Sequence, residues 1–264
     1  FRLTASYASR AYHMRWFLRH LEDGVAIRDI SLERIGFQIA GPKARDLLAR
    51  VARGDVSHDA LRFMSAKHYD IGTSRALVQR VSYTGDLGYE IYVPAAEQVA
   101  LHGTLSDAGK DLGLRPFGMR AMMSLRLEKG FGSWLREFRP DYMPAETGMD
   151  RFVAYNKAAD FIGKAAALKE KAEGPSRRLH TFAVEATDAD VWGDEPIWHD
   201  GAVVGFCTSG GYAHASQTSV AIGFVPADIA RDGLEVEIEI LGDKRPARLY
   251  TTPLFDPEMS RMRS

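Results

Sequence analysis

The sequence predicts an α+β fold that ends in a β-barrel or β-sandwich. Three observations carry this. Up to Gly174-Pro175-Ser176, stretches with apolar residues at helical spacing mix with stretches rich in β-branched and aromatic residues. Beyond that linker the pattern changes: residues 179–184, 195–198, 202–207, 219–225, 234–240 and 245–251 are strand-like, separated by Gly, Pro and Asp turns, with no long helix among them. Hydrophobic residues make up 45% and charged residues 26% of 264, enough for a full core and more than one domain.

In chain order, residues 1–5 predict a short strand. A chain that begins at Phe1, without Met and inside a strand pattern, is expected to be N-terminally incomplete, the C-terminal portion of a longer polypeptide. Ser9 is placed to cap a helix, because Met14, Phe17, Leu18 and Leu21 follow at i, i+3, i+4, i+7 spacing and Gly24 stops it. Residues 25–30 and 35–40 predict strands. Gly41-Pro42 turns into a helix with Ala44, Leu47, Leu48 and Val51 on one face, and Pro42 suits its first turn. Residues 61–69 and 76–83 lead to a turn and strand over 82–94, and a helix follows over about 95–108. Residues 118–130 predict a helix whose Met119, Met122, Met123 and Leu127 form a core stripe. Phe131-Gly132-Ser133-Trp134 is a loop whose aromatic pair suits either packing or the wall of a flat ligand's pocket. Residues 149–155 predict a strand and 160–173 a helix. In the last part, Val236, Ile238 and Ile240 alternate with Glu235, Glu237 and Glu239, one face dry and one wet.

Composition narrows the function. The net charge is -1 and no long like-charge run occurs, so nothing marks a nucleic-acid or membrane partner. A single cysteine, Cys207, rules out an intrachain disulfide and, lying in an apolar run, is expected to be a buried, inert thiol. The sequence holds no G-x-S-x-G, P-loop, G-x-G-x-x-G or H-E-x-x-H pattern. His13 and His20 suit surface or capping roles, His199 a hairpin turn, and His214 a Gly-rich loop over 208–214 that a ligand could touch.

The stretch most suggestive of chemistry is Ser82-Tyr83-Thr84-Gly85-Asp86-Leu87-Gly88-Tyr89-Glu90-Ile91-Tyr92-Val93-Pro94. Gly85 and Gly88 bracket a tight turn, and Tyr89 to Val93 is a strand ended by Pro94. Glu90 is a carboxylate among aromatic and aliphatic neighbours. On a buried face it suits a ligand offering two adjacent N–H groups, such as a pterin edge; on a wet face it is an ordinary surface charge.

Several stretches carry a resemblance. Tyr83-Thr84-Gly85-Asp86-Leu87-Gly88-Tyr89-Glu90 is similar to a Y-T-G-E-x-G-[FYW]-E motif, and Ile39-Ala40-Gly41-Pro42-Lys43-Ala44 to a Q-G-P-K-A turn. Ser124-Leu125-Arg126-Leu127-Glu128-Lys129-Gly130 is similar to S-L-R-L-E-x-G. Phe161-Ile162-Gly163-Lys164 and Gly205-Phe206-Cys207-Thr208-Ser209-Gly210 resemble F-I-G-[RK] and G-x-V-T-S-G. These are signatures of the aminomethyltransferase family, the glycine-cleavage T-protein and its relatives. Leu87, Lys129, Pro140-Asp141-Tyr142 and the tail from Leu241-Gly242-Asp243 look most like the folate-binding region of dimethylglycine and sarcosine dehydrogenases.

The resemblance implies a three-lobed aminomethyltransferase-like fold: residues 1–32 with 140–174, residues 33–139 as the central folate-binding lobe, and residues 176–264 as the β-barrel. It implies transfer of a methyl or methylene unit to tetrahydrofolate from a small methylated amine, with FAD only in a missing upstream domain. It places the protein in a bacterial cytoplasm or the mitochondrial matrix. It assigns Glu90 to the pterin ring, Tyr83 to the same pocket, and Phe131 and Trp134 to its aromatic surroundings; Ser6 matches a position that is Asn in T-proteins. The family's catalytic Asp precedes Phe1. T-proteins carry Arg-Asp where this chain has Met122-Met123, so an arginine contact worth roughly 1.5–3 kcal/mol is lost unless Arg120 replaces it. A demethylase of another methylated substrate, such as a sulfonium or aryl ether, and a non-catalytic folate-binding or assembly module are the alternatives.

Overall fold

Five antiparallel strands organise the first of two units in the computed structural model, which describes residues 1–264. This unit takes residues 1–117 and 259–264. After helix α1 (Arg10–Arg19) come β1 (Arg34–Ala40), α2 (Ala44–Val51), β2 (Ala52–Arg53), β3 (Ala66–Ile71), β4 (Ser74–Gln79), β5 (Gly88–Pro94) and α3 (Gln98–Gly109). The strand order is β1-β5-β4-β3-β2. A period of two sorts the side chains: Tyr89, Ile91 and Val93 of β5 are buried, and Glu90 and Tyr92 between them are half-buried. The buried set joins Ile39, Val78 and Ile71 with Leu47 and Leu48 of α2 and Leu101 and Leu105 of α3 in one core. Each such side chain contributes about 1.5–3 kcal/mol by leaving water.

Residues 1–5 and 25–30 are not strands. Strand residues need a ladder, and neither segment pairs with an edge of this sheet, β1 or β2. Helix α1 forms where expected but ends at Arg19, short of Leu21. Ser9 stands at its N-cap position with its hydroxyl donating back to the Ser6 carbonyl instead of capping, and the helix buries no residue. His20 caps its end, with Nδ1 placed 2.9 Å from the Trp16 carbonyl oxygen.

The second unit, residues 118–258, contains α4 (Met119–Glu128), α5 (Lys164–Glu173), β6 (Arg177–Val184), β7 (Pro196–His199), β8 (Ala202–Ala213), β9 (Thr218–Pro226), β10 (Glu235–Ile240) and β11 (Asp243–Tyr250). The six strands close into a barrel in the order β10-β11-β6-β9-β8-β7, with β7 pairing back onto β10. Phe182, Ile197, Cys207, Ala221, Ile238 and Leu249 fill it. The alternation in β10 is as the sequence predicts.

Three expectations fail here. The Gly-rich stretch 208–214 is not a loop: β8 runs through it to Ala213 against β9. Glycines of β8 serve close packing; a Cβ on Gly205 would lie 1.9 Å from the Phe224 carbonyl oxygen and one on Gly210 2.4 Å from Val191. The methionine stripe of α4 is not core, since Met119 is exposed, Met122 and Met123 are half-buried, and only Leu127 joins an apolar cluster with Ala213, Val220 and Ile222. Residues 149–155 hold one 3-10 turn, Asp150–Phe152, because the Met149 and Asp150 amides both donate to the Pro144 carbonyl and wind the chain. Helix α5 begins at Lys164, after Gly163 at φ +90°.

Charged side chains fasten α4 to the barrel. Arg126, Glu128, Lys129 and Glu137 are all buried. Arg126 donates to Glu137 Oε2 at 3.3 Å and to the Phe131 carbonyl at 2.9 Å. Glu137 also accepts from the Ser133 amide at 2.7 Å, from Thr208 Oγ1 at 2.7 Å and from Ser209 Oγ. Glu128 accepts from the Ala215 and Ser216 amides at 2.9 and 3.0 Å, and Lys129 Nζ lies 3.1 Å from Asp256 Oδ2.

Removing one member of a buried ion pair leaves the other charge uncompensated, at a cost of about 3–5 kcal/mol. Urea unfolding of Glu137→Ala is expected to show that loss, and the double variant with Arg126→Met to recover part of it. A single variant as stable as the parent would show that the network contributes nothing. Burial pushes the Cys207 thiol well above its ordinary range. A thiol reagent at pH 8 is therefore expected to leave Cys207 unmodified in the folded protein and to titrate it fully in guanidinium chloride; rapid labelling of the folded protein would contradict its burial.

Candidate functional site

On the sheet of the first unit, Glu90 sits on the face opposite the helices. Its direct cross-strand neighbours are Gln38 of β1 and Gln79 of β4. A glutamine–glutamate–glutamine row therefore crosses three strands, the three side chains half-buried. The buried and wet alternatives for Glu90 resolve into an intermediate: the carboxylate is partly covered, and it is held. Tyr92, two residues on and so on the same face, donates its hydroxyl to Glu90 Oε2 at 2.6 Å. The Tyr92 ring fits because its cross-strand partner is Gly36, where a Cβ would meet the ring at 2.7 Å. The Arg2 guanidinium lies over the same ring, 4.9 Å from its centre. The Glu90 carboxylate is thus oriented through Oε2, and Oε1 takes no part in that bond.

A second feature of this face is an amide without a partner. Gln38 Nε2 is buried and makes no hydrogen bond within the chain. Leaving such a donor unpaired costs about 1–3 kcal/mol, and native proteins seldom tolerate it without reason.

Tyr83 is half-buried in the connection from β4 to β5. That connection is shaped by Gly85 at φ +83° and by the Asp86 carboxylate, which accepts from the Leu87 amide at 3.0 Å and from Arg261 at 3.3 Å. Gly88 is not in the turn but is the first residue of β5. Ser6 is exposed just before the 3-10 turn Tyr7–Ser9, its carbonyl accepting from the Ser9 amide at 3.0 Å.

In the second unit, Phe131 and Trp134 are both half-buried in the loop after α4. The Arg126 and Ser133 bonds to Glu137 pin this loop from below. Arg120 is exposed on the first turn of α4. His214 lies just past the end of β8, its ring edge-on to Tyr212 with centres 5.1 Å apart.

Tyr92, Gln38 and Arg2 are the residues that sequence reading missed. Tyr92 was legible, since the period of two places it beside Glu90. Gln38 was not, because only strand register sets it opposite Glu90. For Tyr92, burial first and then the bond to Glu90 raise the phenol above its ordinary value near 10. The folded value exceeds the unfolded one, so the stability this group contributes is complete below about pH 10 and is lost as pH climbs through the folded value. Tyr92→Phe is expected to cost about 1 kcal/mol near neutrality and to flatten the decline in stability above pH 10. An unchanged alkaline profile would show that Tyr92 does not keep its proton for Glu90.

Residues 1–157 match the family model described as the GCVT N-terminal domain, and residues 177–256 the glycine cleavage T-protein C-terminal barrel domain. The mitochondrial dimethylglycine dehydrogenase of Homo sapiens is 38% identical over 100% of this chain and 31% of its own length. The 4-methylaminobutanoate oxidase (formaldehyde-forming) of Paenarthrobacter nicotinovorans is 33% identical over 94% of this chain and 30% of its own. The chain thus spans about a third of the length of these curated relatives. The crystal structure of the glycine cleavage system aminomethyltransferase T from Bartonella henselae superposes with a TM-score of 0.80 at 27% identity, covering 94% of this chain and 66% of that one. No helix is long and apolar enough to cross a membrane.

Proposed function

The chain belongs to the glycine cleavage T-protein family, and we propose that it binds tetrahydrofolate and delivers to it a one-carbon unit drawn from an N-methylated amino acid. One observation carries the reading: a half-buried carboxylate, Glu90, is oriented by Tyr92 through one oxygen on an otherwise uncharged row of the sheet face. An ionised carboxylate only accepts hydrogen bonds, and its two oxygens match two adjacent N–H groups in a charge-assisted, two-point contact. The amino and ring N–H groups of a pterin are such a pair. The Tyr92 bond leaves capacity for this, because each carboxylate oxygen carries two lone pairs. The residues present therefore fit the pterin edge of folate.

When bound, folate supplies the secondary amine that accepts the one-carbon unit. Glu90 binds and orients the ring, and Tyr83 lines the same pocket. Ser6 offers a short polar contact in the first unit; in the second unit Phe131 and Trp134 offer flat apolar surface and Arg120 a cation. Positioning of this kind turns an encounter between two reactants into a first-order step. Exclusion of water protects a reactive one-carbon donor from hydrolysis. The three-lobe division at residues 32, 139 and 175 belongs to the same proposal. The donor class follows the names of the relatives: dimethylglycine and 4-methylaminobutanoate are both N-methylated amino acids. The oxidation that releases a methyl group from such a donor, and any flavin it uses, is proposed for the longer protein.

Calorimetric titration with 5-formyltetrahydrofolate tests the reading. Micromolar binding is expected, falling at least tenfold in Glu90→Gln, equivalent to at least about 1.4 kcal/mol. Binding that is equal in parent and variant would remove Glu90 from the site, and no binding by the parent would remove the folate reading.

A further inference from the structure

The Gln38 amide is the group on this sheet face for which the fold itself provides no use. It lies directly across from Glu90, and directly opposed residues hold their Cβ atoms about 4.5–5.5 Å apart. Its Nε2 is buried and bonded to nothing, whereas Gln79, the other neighbour of Glu90, has no buried unpaired atom. The Tyr92 hydroxyl is already spent on Glu90, and the Arg2 guanidinium is stacked on the Tyr92 ring. A strand carrying a glutamine here is not enforced by packing, because an apolar side chain of the same length would fill the space without stranding a donor.

We propose that Gln38 determines specificity at the Glu90 site, by donating from Nε2 to the ring carbonyl adjacent to the N–H pair that Glu90 accepts. The inference rests on the folate reading above and goes beyond it. A 2-amino-4-oxo heterocycle presents an amino N–H, a ring N–H and a carbonyl in a row: two donors, then an acceptor. A carboxylate reads only the first two. The third requires a donor beside the carboxylate on the same face, and Gln38 is the buried, uncommitted donor at that place. A 2,4-diamino ring sets an amino group where the carbonyl was, so the Gln38 donor meets another donor and loses its partner. The ring nitrogen beside that carbon no longer carries a hydrogen, so Glu90 loses one of its two N–H groups as well. Sites that hydrogen-bond a ligand group reject analogues lacking it far more strongly than apolar pockets reject a shape.

The test uses folate and its 4-amino-4-deoxy analogue, which differ at that carbon and in the hydrogen on the ring nitrogen beside it, as competitors of bound 5-formyltetrahydrofolate. The parent protein is expected to prefer the oxo ring by at least tenfold. In Gln38→Met the preference is expected to fall at least threefold, the share owed to Glu90 remaining, with 5-formyltetrahydrofolate bound about tenfold more weakly and a melting temperature equal to or above the parent's, because an unpaired donor has been removed. Gln38→Glu, which keeps the shape and replaces the donor with an acceptor, is expected to bind more weakly still. A Gln38→Met protein with unchanged preference and affinity overturns the proposal. So does one that only melts at lower temperature, which would make Gln38 a structural residue. In both cases a tenfold loss in Glu90→Gln would leave the folate reading standing. No binding by the parent overturns both.

Discussion

A carboxylate taken wholly out of water must recover its hydration from protein donors, and Glu137 recovers it from three stretches of chain. Arg126 comes from α4, Ser133 from the loop after it, and Thr208 and Ser209 from β8. Neighbouring strand residues ordinarily face opposite ways, yet Thr208 and Ser209 both reach the same carboxylate. They do so because the register of β8 against β9 shifts between Cys207 and Ser209, and a bulge turns both side chains to one side. The loop that carries Phe131 and Trp134 is thereby fixed at both ends, by Arg126 holding the Phe131 carbonyl and by Glu137 holding the Ser133 amide. Its aromatic surfaces are set by electrostatics beneath them rather than by apolar packing alone.

The first unit solves a different problem. Its sheet has one face committed to α2 and α3, which leaves the other to carry polar groups without opening the core. Glu90 tolerates partial burial because Tyr92 neutralises part of its demand, and Tyr92 can lie flat because β1 has a glycine opposite it. The orientation of a single carboxylate thus depends on residues from two strands that are more than fifty positions apart in sequence.

Signatures that look like ligand chemistry can be anchors. In Ser124-Leu125-Arg126-Leu127-Glu128-Lys129-Gly130, the charged residues face protein: Arg126 meets Glu137, Glu128 meets the turn at Ala215 and Ser216, and Lys129 meets Asp256. In Gly205-Phe206-Cys207-Thr208-Ser209-Gly210, the two outer glycines allow chain contact, the thiol is buried in the barrel, and the hydroxyls bind Glu137. A sequence displays such residues as polar and clustered, which is also how a binding site looks, and burial alone separates the two.

By itself the sequence determined the α+β class, six strands in the C-terminal part, the amphipathic faces of α2 and β10 and the inert thiol. These depend on local periodicity and residue chemistry, which short windows contain. Tertiary structure alone decided the rest. Residues 1–5 and 25–30 lost their strands for want of a ladder partner, and the Gly-rich stretch 208–213 gained one because β9 lies alongside it. The methionine stripe went half-exposed because, of the apolar residues of α4, only Leu127 joins a buried cluster with barrel residues. Gln38 came to lie beside Glu90 through register, a long-range property that no window around either residue encodes.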